Sequence, residues 1–225
     1  MPTDPTLLAI FDHDGVLVDT LDLHQRAWVE MGRRGGLPIT AEFVRETFGM
    51  TNPAMFRRLL GDALTEDDVR RHSELKESIY RDLARGKIAL MDGVRGLLGR
   101  LAAAGFKLAV GTSGIRPNID LTIASCGLEG VFVAIASADD ITRSKPDPEV
   151  FLVAARKAGV EPRHAVVFED AVVGIQAAKA AGMRAVGLTT THPAAALSEG
   201  GADLVVETLV GFDVAALARS LRAGG

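Results

Sequence analysis

Leu7-Leu8-Ala9-Ile10-Phe11-Asp12-His13-Asp14-Gly15 is the stretch on which the reading of this chain turns. Five apolar residues in succession run into an acid, and a second acid follows two places later. A strand with one wet face alternates apolar and polar residues; a short unbroken run suits a parallel strand covered on both faces. The same design recurs downstream. Residues 107–111 run into Thr112, residues 165–168 run into Glu169, and further apolar runs occupy 131–135, 184–188 and 202–206. Between them, apolar spacing near 3.6 predicts helices over 94–104, 148–158 and 172–181, each followed by a glycine at 105, 159 or 182 that suits a helix C-terminus. Strand and helix alternate, so the expected class is α/β, a doubly wound parallel sheet.

One segment breaks the alternation. From residue 21 to 89 no strand pattern is present, and helical patterns cover 24–34, 41–48, 53–60 and 66–84. The charge-rich surface of this insertion predicts a small helical cap, 21–89, set into a core formed by 1–20 and 90–225, with linkers near Asp19-Thr20 and 87–91.

Bulk properties narrow the function. The chain has 225 residues, 48% of them hydrophobic, enough for a buried core and an accessory domain. A net charge of −4 with no basic stripe argues against nucleic-acid binding. A single cysteine, Cys126, excludes an internal disulfide and reads as a small buried hydrophobe in a reducing compartment. The start, Met1-Pro2-Thr3-Asp4-Pro5, has no basic n-region, and no apolar run reaches the roughly 20 residues of a membrane span. A cytoplasmic protein is expected, without membrane association. No exposed apolar stripe demands a partner, so a monomer is expected.

Open α/β sheets bind ligands beyond the carboxyl ends of their strands. The residues expected there are Asp12 and Asp14, Thr112 and Ser113, and Glu169 and Asp170, with Lys145 in the proline-bracketed loop Ser144-Lys145-Pro146-Asp147-Pro148. Alternation in extended chain turns Asp12 and Asp14 to one side and His13 away. Two carboxylates so close need a positive partner, and a magnesium ion, which takes oxygen ligands, suits them. One carboxylate can attack phosphorus while the other transfers a proton. A hydroxyl with successive backbone N–H groups at Thr112-Ser113-Gly114 makes an anion cradle, or else simply caps the helix that follows. Glu169-Asp170 likewise either completes a metal site or caps the helix after Ala171. Taken singly these are turns, caps and surface groups; acid pair, hydroxyl, lysine and acid pair at successive strand ends form one constellation.

That constellation resembles the haloacid dehalogenase superfamily, whose motifs are DxDG[T/V], a strand ending in Ser or Thr, a Lys and an acidic pair. They read here as Asp12-His13-Asp14-Gly15-Val16, Gly111-Thr112-Ser113-Gly114, Lys145-Pro146 and Glu169-Asp170. The likeness covers nearly the whole chain and is nearest the phosphatase and β-phosphoglucomutase-like branch, with His24 and Trp28 following Asp19-Thr20. It implies Asp12 as nucleophile and metal ligand, and Asp14 as general acid/base whose backbone carbonyl also meets the metal. It implies Thr112 and the Ser113 N–H as phosphoryl contacts, Lys145 as the neutralising cation, and Asp170 as a metal ligand with Glu169 second to it. His24, Asn52 and Lys76 of the cap would meet substrate.

Two departures shape the expected activity. In phosphoglucomutases of this branch a cap Arg holds a second phosphate; Asn52 stands at that place, and a neutral amide cannot substitute for a guanidinium clamp. Arg57, Arg58 and Lys76 are nearby cations, each expected on an exposed helix face. His13 replaces an apolar residue between the aspartates, and a packing or local hydrogen-bonding role is expected of it. The expectation is a magnesium-dependent phosphatase acting on a small phosphorylated metabolite through an aspartyl-phosphate. The alternative is a β-phosphoglucomutase-type mutase, and a non-catalytic protein keeping the fold is a third possibility that the intact acid set disfavours.

Overall fold

A computed structural model of the protein describes residues 5–223. Residues 1–4, part of the stretch read for a targeting signal, lie outside them. Among the described residues six strands form one sheet: β1 (Leu8–Phe11), β2 (Lys107–Gly111), β3 (Ala134–Ala136), β4 (Ala165–Glu169), β5 (Arg184–Leu188) and β6 (Leu204–Val206). All pairs are parallel, in the order β3-β2-β1-β4-β5-β6. The chain thus leaves β1 in one direction for β2 and β3, then returns to its other side for β4. In register, Phe11 lies between Val110 and Phe168.

The unbroken apolar runs are explained by the two faces they serve. Ala9 and Phe11 point into one cluster with Leu97 and Leu101 of α5 (Val94–Ala103) and Leu217 of α10 (Val214–Ala223). Leu8 and Ile10 point into the other, with Phe151 of α7 (Glu149–Ala158) and Ile175 of α8 (Val172–Ala180). Cys126 closes α6 (Arg116–Cys126) and is buried in the first cluster.

Some strand and helix expectations needed correction. The apolar run at 131–135 is a strand only from Ala134, and Val133 is 58% exposed, because β3 is an edge strand paired with β2 alone. The run at 202–206 begins its strand at Leu204; the Asp203 carboxylate instead accepts the Ala185 N–H at 2.7 Å and takes Lys179. Two helices, α9 (Ala194–Glu199) and α10, had no counterpart in the sequence reading, whereas α6 is the helix expected after Thr112-Ser113-Gly114.

The insertion contains α1 (Leu21–Gly35), α2 (Ala41–Glu46), α3 (Asn52–Leu60) and α4 (Glu66–Ala84). These pack around an apolar cluster of their own that includes Trp28, Met31, Phe56 and Tyr80. The chain enters and leaves side by side: Val18 bridges Leu90, and the Met91 N–H donates to the Leu17 carbonyl at 3.0 Å. No described helix is long and apolar enough to cross a membrane.

Candidate active site

β1 and β4 are neighbours at the point where the strand order reverses, the place where an open α/β sheet forms a crevice. Asp12 follows β1, and its backbone N–H donates to the Phe168 carbonyl at 3.0 Å, continuing the ladder one residue past the strand. Glu169 ends β4 and Asp170 follows. One carboxylate oxygen from each of the three lies within 4.8 Å of the others, and all three residues are buried.

Backbone shape makes the cluster possible. A Cβ on Gly15 would lie 1.9 Å from Asp170 Oδ2, and one on Gly174 would lie 1.5 Å from Glu169 Oε1. Both glycines therefore leave room for a carboxylate, and Gly15 also holds φ at 77°. Glu169 is fully engaged: Oε1 accepts from Lys145 Nζ at 2.7 Å, and Oε2 accepts the N–H groups of Asp170 and Ala171 at 2.7 and 3.3 Å. Asp12 Oδ1 and Asp170 Oδ1 are buried without a hydrogen bond; Lys145 Nζ sits 3.3 Å from Asp12 Oδ1 as an ion pair outside hydrogen-bonding geometry.

The electrostatics follow from this crowding. Burial first, and then the Glu169 charge, push the Asp12 carboxyl up to about 7 against the pull of Lys145. Burial, Glu169 and Asp12 together raise Asp170 well above the carboxylate range. Burial opposes the charge of Lys145, yet the two carboxylates beside it raise its ammonium above the ordinary range. Two bare buried oxygens in a cradle of acids fit a divalent, oxygen-seeking cation, which Asp12 and Asp170 could hold while Glu169 is committed to Lys145 and the backbone. Thr191 donates its hydroxyl to Asp170 Oδ2, and His192 Nδ1 contacts the Asp170 carbonyl at 3.0 Å, so the loop after β5 orients Asp170.

Asp14 faces the same small cavity as Asp12, about 40 Å³ in volume. Thr20 donates its hydroxyl to Asp14 Oδ1, which also lies 3.1 Å from His24 Nε2 and 3.1 Å from His13 Nδ1. Burial disfavours the Asp14 charge, but the His13 and His24 contacts outweigh it and hold the carboxyl well below its usual range. His13 turns its other nitrogen to Thr122 Oγ1 of α6 at 2.7 Å, a hydrogen bond to a residue 109 places along the chain where a packing or local role was expected. Lys76 Nζ meets His24 Nδ1 at 2.9 Å. An ammonium only donates, so Nδ1 accepts and Nε2–H donates to Asp14. Burial first, then the Lys76 charge, lowers the His24 pKa and keeps the ring neutral in this role.

Thr112 and Ser113 open onto the cavity as β2 ends. The Gly114 N–H donates to Thr112 Oγ1 at 3.1 Å, while Ser113 Oγ is buried without a partner. Neither caps α6, whose N-cap is Ile115, and no side chain caps α8, whose N-cap is Ala171. The simple capping readings of both motifs are thereby corrected.

The cap residues are brought to the same place. Asn52 Nδ2 donates to Glu77 Oε1 at 2.8 Å, and Lys76 Nζ donates to that oxygen at 2.8 Å. Of the two expectations for Lys76, the exposed helix face is overturned: it lines the small cavity and is 2% exposed, because Glu77 and His24 supply it with partners inside the cleft. Arg57 and Arg58 are exposed as expected. Beyond the small cavity lies a larger one of about 710 Å³ between cap and core; Asn52, Glu77 and Ser113 line both. Sequence reasoning missed Thr20, Glu77, Asn118, Thr191 and His192.

Comparison with known proteins agrees with this geometry. The family model described as "Haloacid dehalogenase-like hydrolase" matches residues 9–188. The validoxylamine A 7'-phosphate phosphatase of Streptomyces hygroscopicus subsp. limoneus is 36% identical over 205 residues, covering 90% of this chain and 93% of the relative. The β-phosphoglucomutase of Bacillus subtilis is 31% identical over 204 residues, covering 88% and 87%. Among solved structures, the β-phosphoglucomutase of Clostridium difficile superposes with a TM-score of 0.84 at 26% identity, covering 97% of this chain and 98% of that one. The chain belongs to the haloacid dehalogenase-like hydrolases, as an enzyme of the phosphoric monoester hydrolase type.

Proposed function

We propose that the protein hydrolyses a small phosphorylated metabolite, of the phosphorylated-carbohydrate kind, through a phosphoryl group carried on Asp12. The observation that carries the reading is the buried set Asp12, Glu169, Asp170 and Lys145, which joins a bare carboxylate oxygen to a fixed cation at the sheet's switch point. The names of two further relatives, a fructose-1-phosphate phosphatase of Escherichia coli and a phosphorylated carbohydrates phosphatase of Thermotoga maritima, support a phosphorylated-carbohydrate substrate.

Asp12 attacks phosphorus, an Asp12 O–P bond forms, and the ester P–O bond breaks. The departing alkoxide takes a proton from Asp14. Water then attacks the aspartyl-phosphate, gives its proton to Asp14, and inorganic phosphate leaves with Asp12 restored. In the present geometry Asp14 is held as the carboxylate by Thr20, His13 and His24, the form that accepts a proton from water. A phosphate dianion arriving beside it favours the protonated form needed to supply the leaving group. Thr112 and Ser113 hold phosphoryl oxygens, and Lys145 offsets the charge of the transferring group. Asp12 and Asp170, oriented by Thr191, would hold magnesium, which stabilises charge on the phosphoryl oxygens when bound.

Phosphate-monoester hydrolysis needs accelerations of up to ~10²¹, and one fixed donor supplies only about 3–4 kcal/mol. Several groups must therefore act together. Asn52 is tied to Glu77 rather than presented as a cation, which favours hydrolysis over a mutase with a second phosphate to grip. The test is inorganic phosphate released from sugar phosphates, nucleotides and phosphoglycolate, with and without magnesium. Magnesium-dependent release, abolished in Asp12→Asn, is expected. Release that persists in Asp12→Asn would overturn Asp12 as the nucleophile, and conversion of β-glucose 1-phosphate to glucose 6-phosphate without free phosphate would overturn hydrolysis.

A further inference from the structure

Glu77 stands between the cap and the core and makes no hydrogen bond or ion pair with Asp12, Asp14 or the acid cluster. Its Oε2 accepts from Asn118 Nδ2, on core helix α6, at 2.7 Å. Its Oε1 accepts from Lys76 Nζ and Asn52 Nδ2, both cap groups, at 2.8 Å each. Asn118 Oδ1 in turn accepts from Arg81 at 3.4 Å, one turn along α4 from Glu77. Glu77 is 4% exposed and Asn118 2% exposed, so this polar link runs through a closed interface. Beyond Lys76 the contacts continue to His24 at 2.9 Å and from His24 to Asp14 at 3.1 Å.

We propose that Glu77 is a positioning residue, held by Asn118 when the cap lies on the core, that fixes Lys76 against His24 and so sets the placement of Asp14. Asn52, Lys76, His24 and Glu77 all belong to the helical insertion, whereas Asn118 and Asp14 belong to the α/β part. Separation of the two would remove Asn118 from Glu77 and Asp14 from His24 together. With Asn118 in place, one Glu77 oxygen is committed to the core and the other is left to hold the ammonium. Cap contact is thereby read at the proton-transfer carboxylate, four side chains away. The proposal rests on Asp14 acting as that carboxylate.

The experiment varies the leaving group. An alkoxide leaving from glucose 6-phosphate needs a proton; the p-nitrophenolate leaving from p-nitrophenyl phosphate does not. The value of kcat/KM reports steps up to departure of that group. Asn118→Ala and Glu77→Ala should each lower kcat/KM for glucose 6-phosphate about tenfold and leave p-nitrophenyl phosphate within about twofold. Asn118→Ala should add no further loss in the Glu77→Ala background. Equal losses on both substrates, or additive losses in the double variant, would overturn the coupling. Asp14→Asn is the control, expected to show the same selectivity with a loss of about a hundredfold or more. If Asp14→Asn is selective and Asn118→Ala is not, the coupling fails alone. If Asp14→Asn shows no selectivity, the role given to Asp14 fails, and the coupling with it.

Discussion

Replacing Gly174 by alanine sets two principles against each other. Gly174 lies inside α8 and has no positive φ, so helix propensity alone makes Gly174→Ala stabilising by about 1 kcal/mol. The surroundings give the opposite sign. The new Cβ would stand 1.5 Å from Glu169 Oε1, 2.1 Å from Cδ and 2.4 Å from Cγ, so the whole side chain must move. Glu169 is not free to do so, being pinned by Lys145 at 2.7 Å and by the Asp170 N–H at 2.7 Å in a fully buried position. Breaking a buried ion pair costs about 3–5 kcal/mol. The net loss is therefore about 2–4 kcal/mol, which for a chain of this size lowers Tm by about 4–16 °C. Thermal melting followed by circular dichroism checks the sign. A Tm equal to or above that of the wild type would refute the reasoning, because it would mean the Glu169 site relaxes without cost.

Three shorter predictions test the charge and polar bookkeeping of the cleft. Magnesium at one hundred times its dissociation constant should stabilise the folded chain by about 2.7 kcal/mol, and a Tm unchanged by magnesium and by chelator would count against the acid cluster as a metal site. At Glu77, burial opposes the charge, but Lys76 and His24 outweigh it and hold the carboxyl at about 2, below its ordinary 4.5. A depressed carboxyl stabilises the fold fully above its unfolded pKa, and that stabilisation, roughly 3 kcal/mol, should be lost as pH falls from 4.5 towards about 2. Chemical denaturation across that range should show the slope in the wild type and a flatter one in Glu77→Gln. Ser113 Oγ has no hydrogen-bond partner among the described residues. Ser113→Ala keeps the backbone N–H assigned to the phosphoryl group and should therefore leave kcat/KM for phosphate release within about twofold and Tm within about 1 °C, and a large fall in kcat/KM would show that the hydroxyl itself holds a phosphoryl oxygen.

The core of this molecule was legible because two constraints coincide at each strand end. The run Leu8–Phe11 is apolar on both faces because helices cover both, and the acid that follows is then the first group able to meet a ligand. Asp12, Thr112 and Glu169 can be placed from that rule alone. The edge of the sheet was less legible: apolar content at 131–133 serves packing from a turn, where Val131 and Phe132 reach the core without pairing as strand. The cap was the least legible part, and Lys76 shows why. Its own helix reads as charged and solvated, and nothing within α4 says that residue 76 faces His24 of α1 while Glu77 faces Asn118 of α6. Those partners are separated from it by 52 and, for Glu77, 41 residues. A buried charge is recognised by the partners that neutralise it, and here they come from three different helices. Strand-end chemistry is written locally in the chain, whereas the chemistry of a closing interface exists only once both of its sides are assembled. This is why the constellation at the strand ends could be assembled from short local motifs, and why the group proposed to sense the cap could not be found in them.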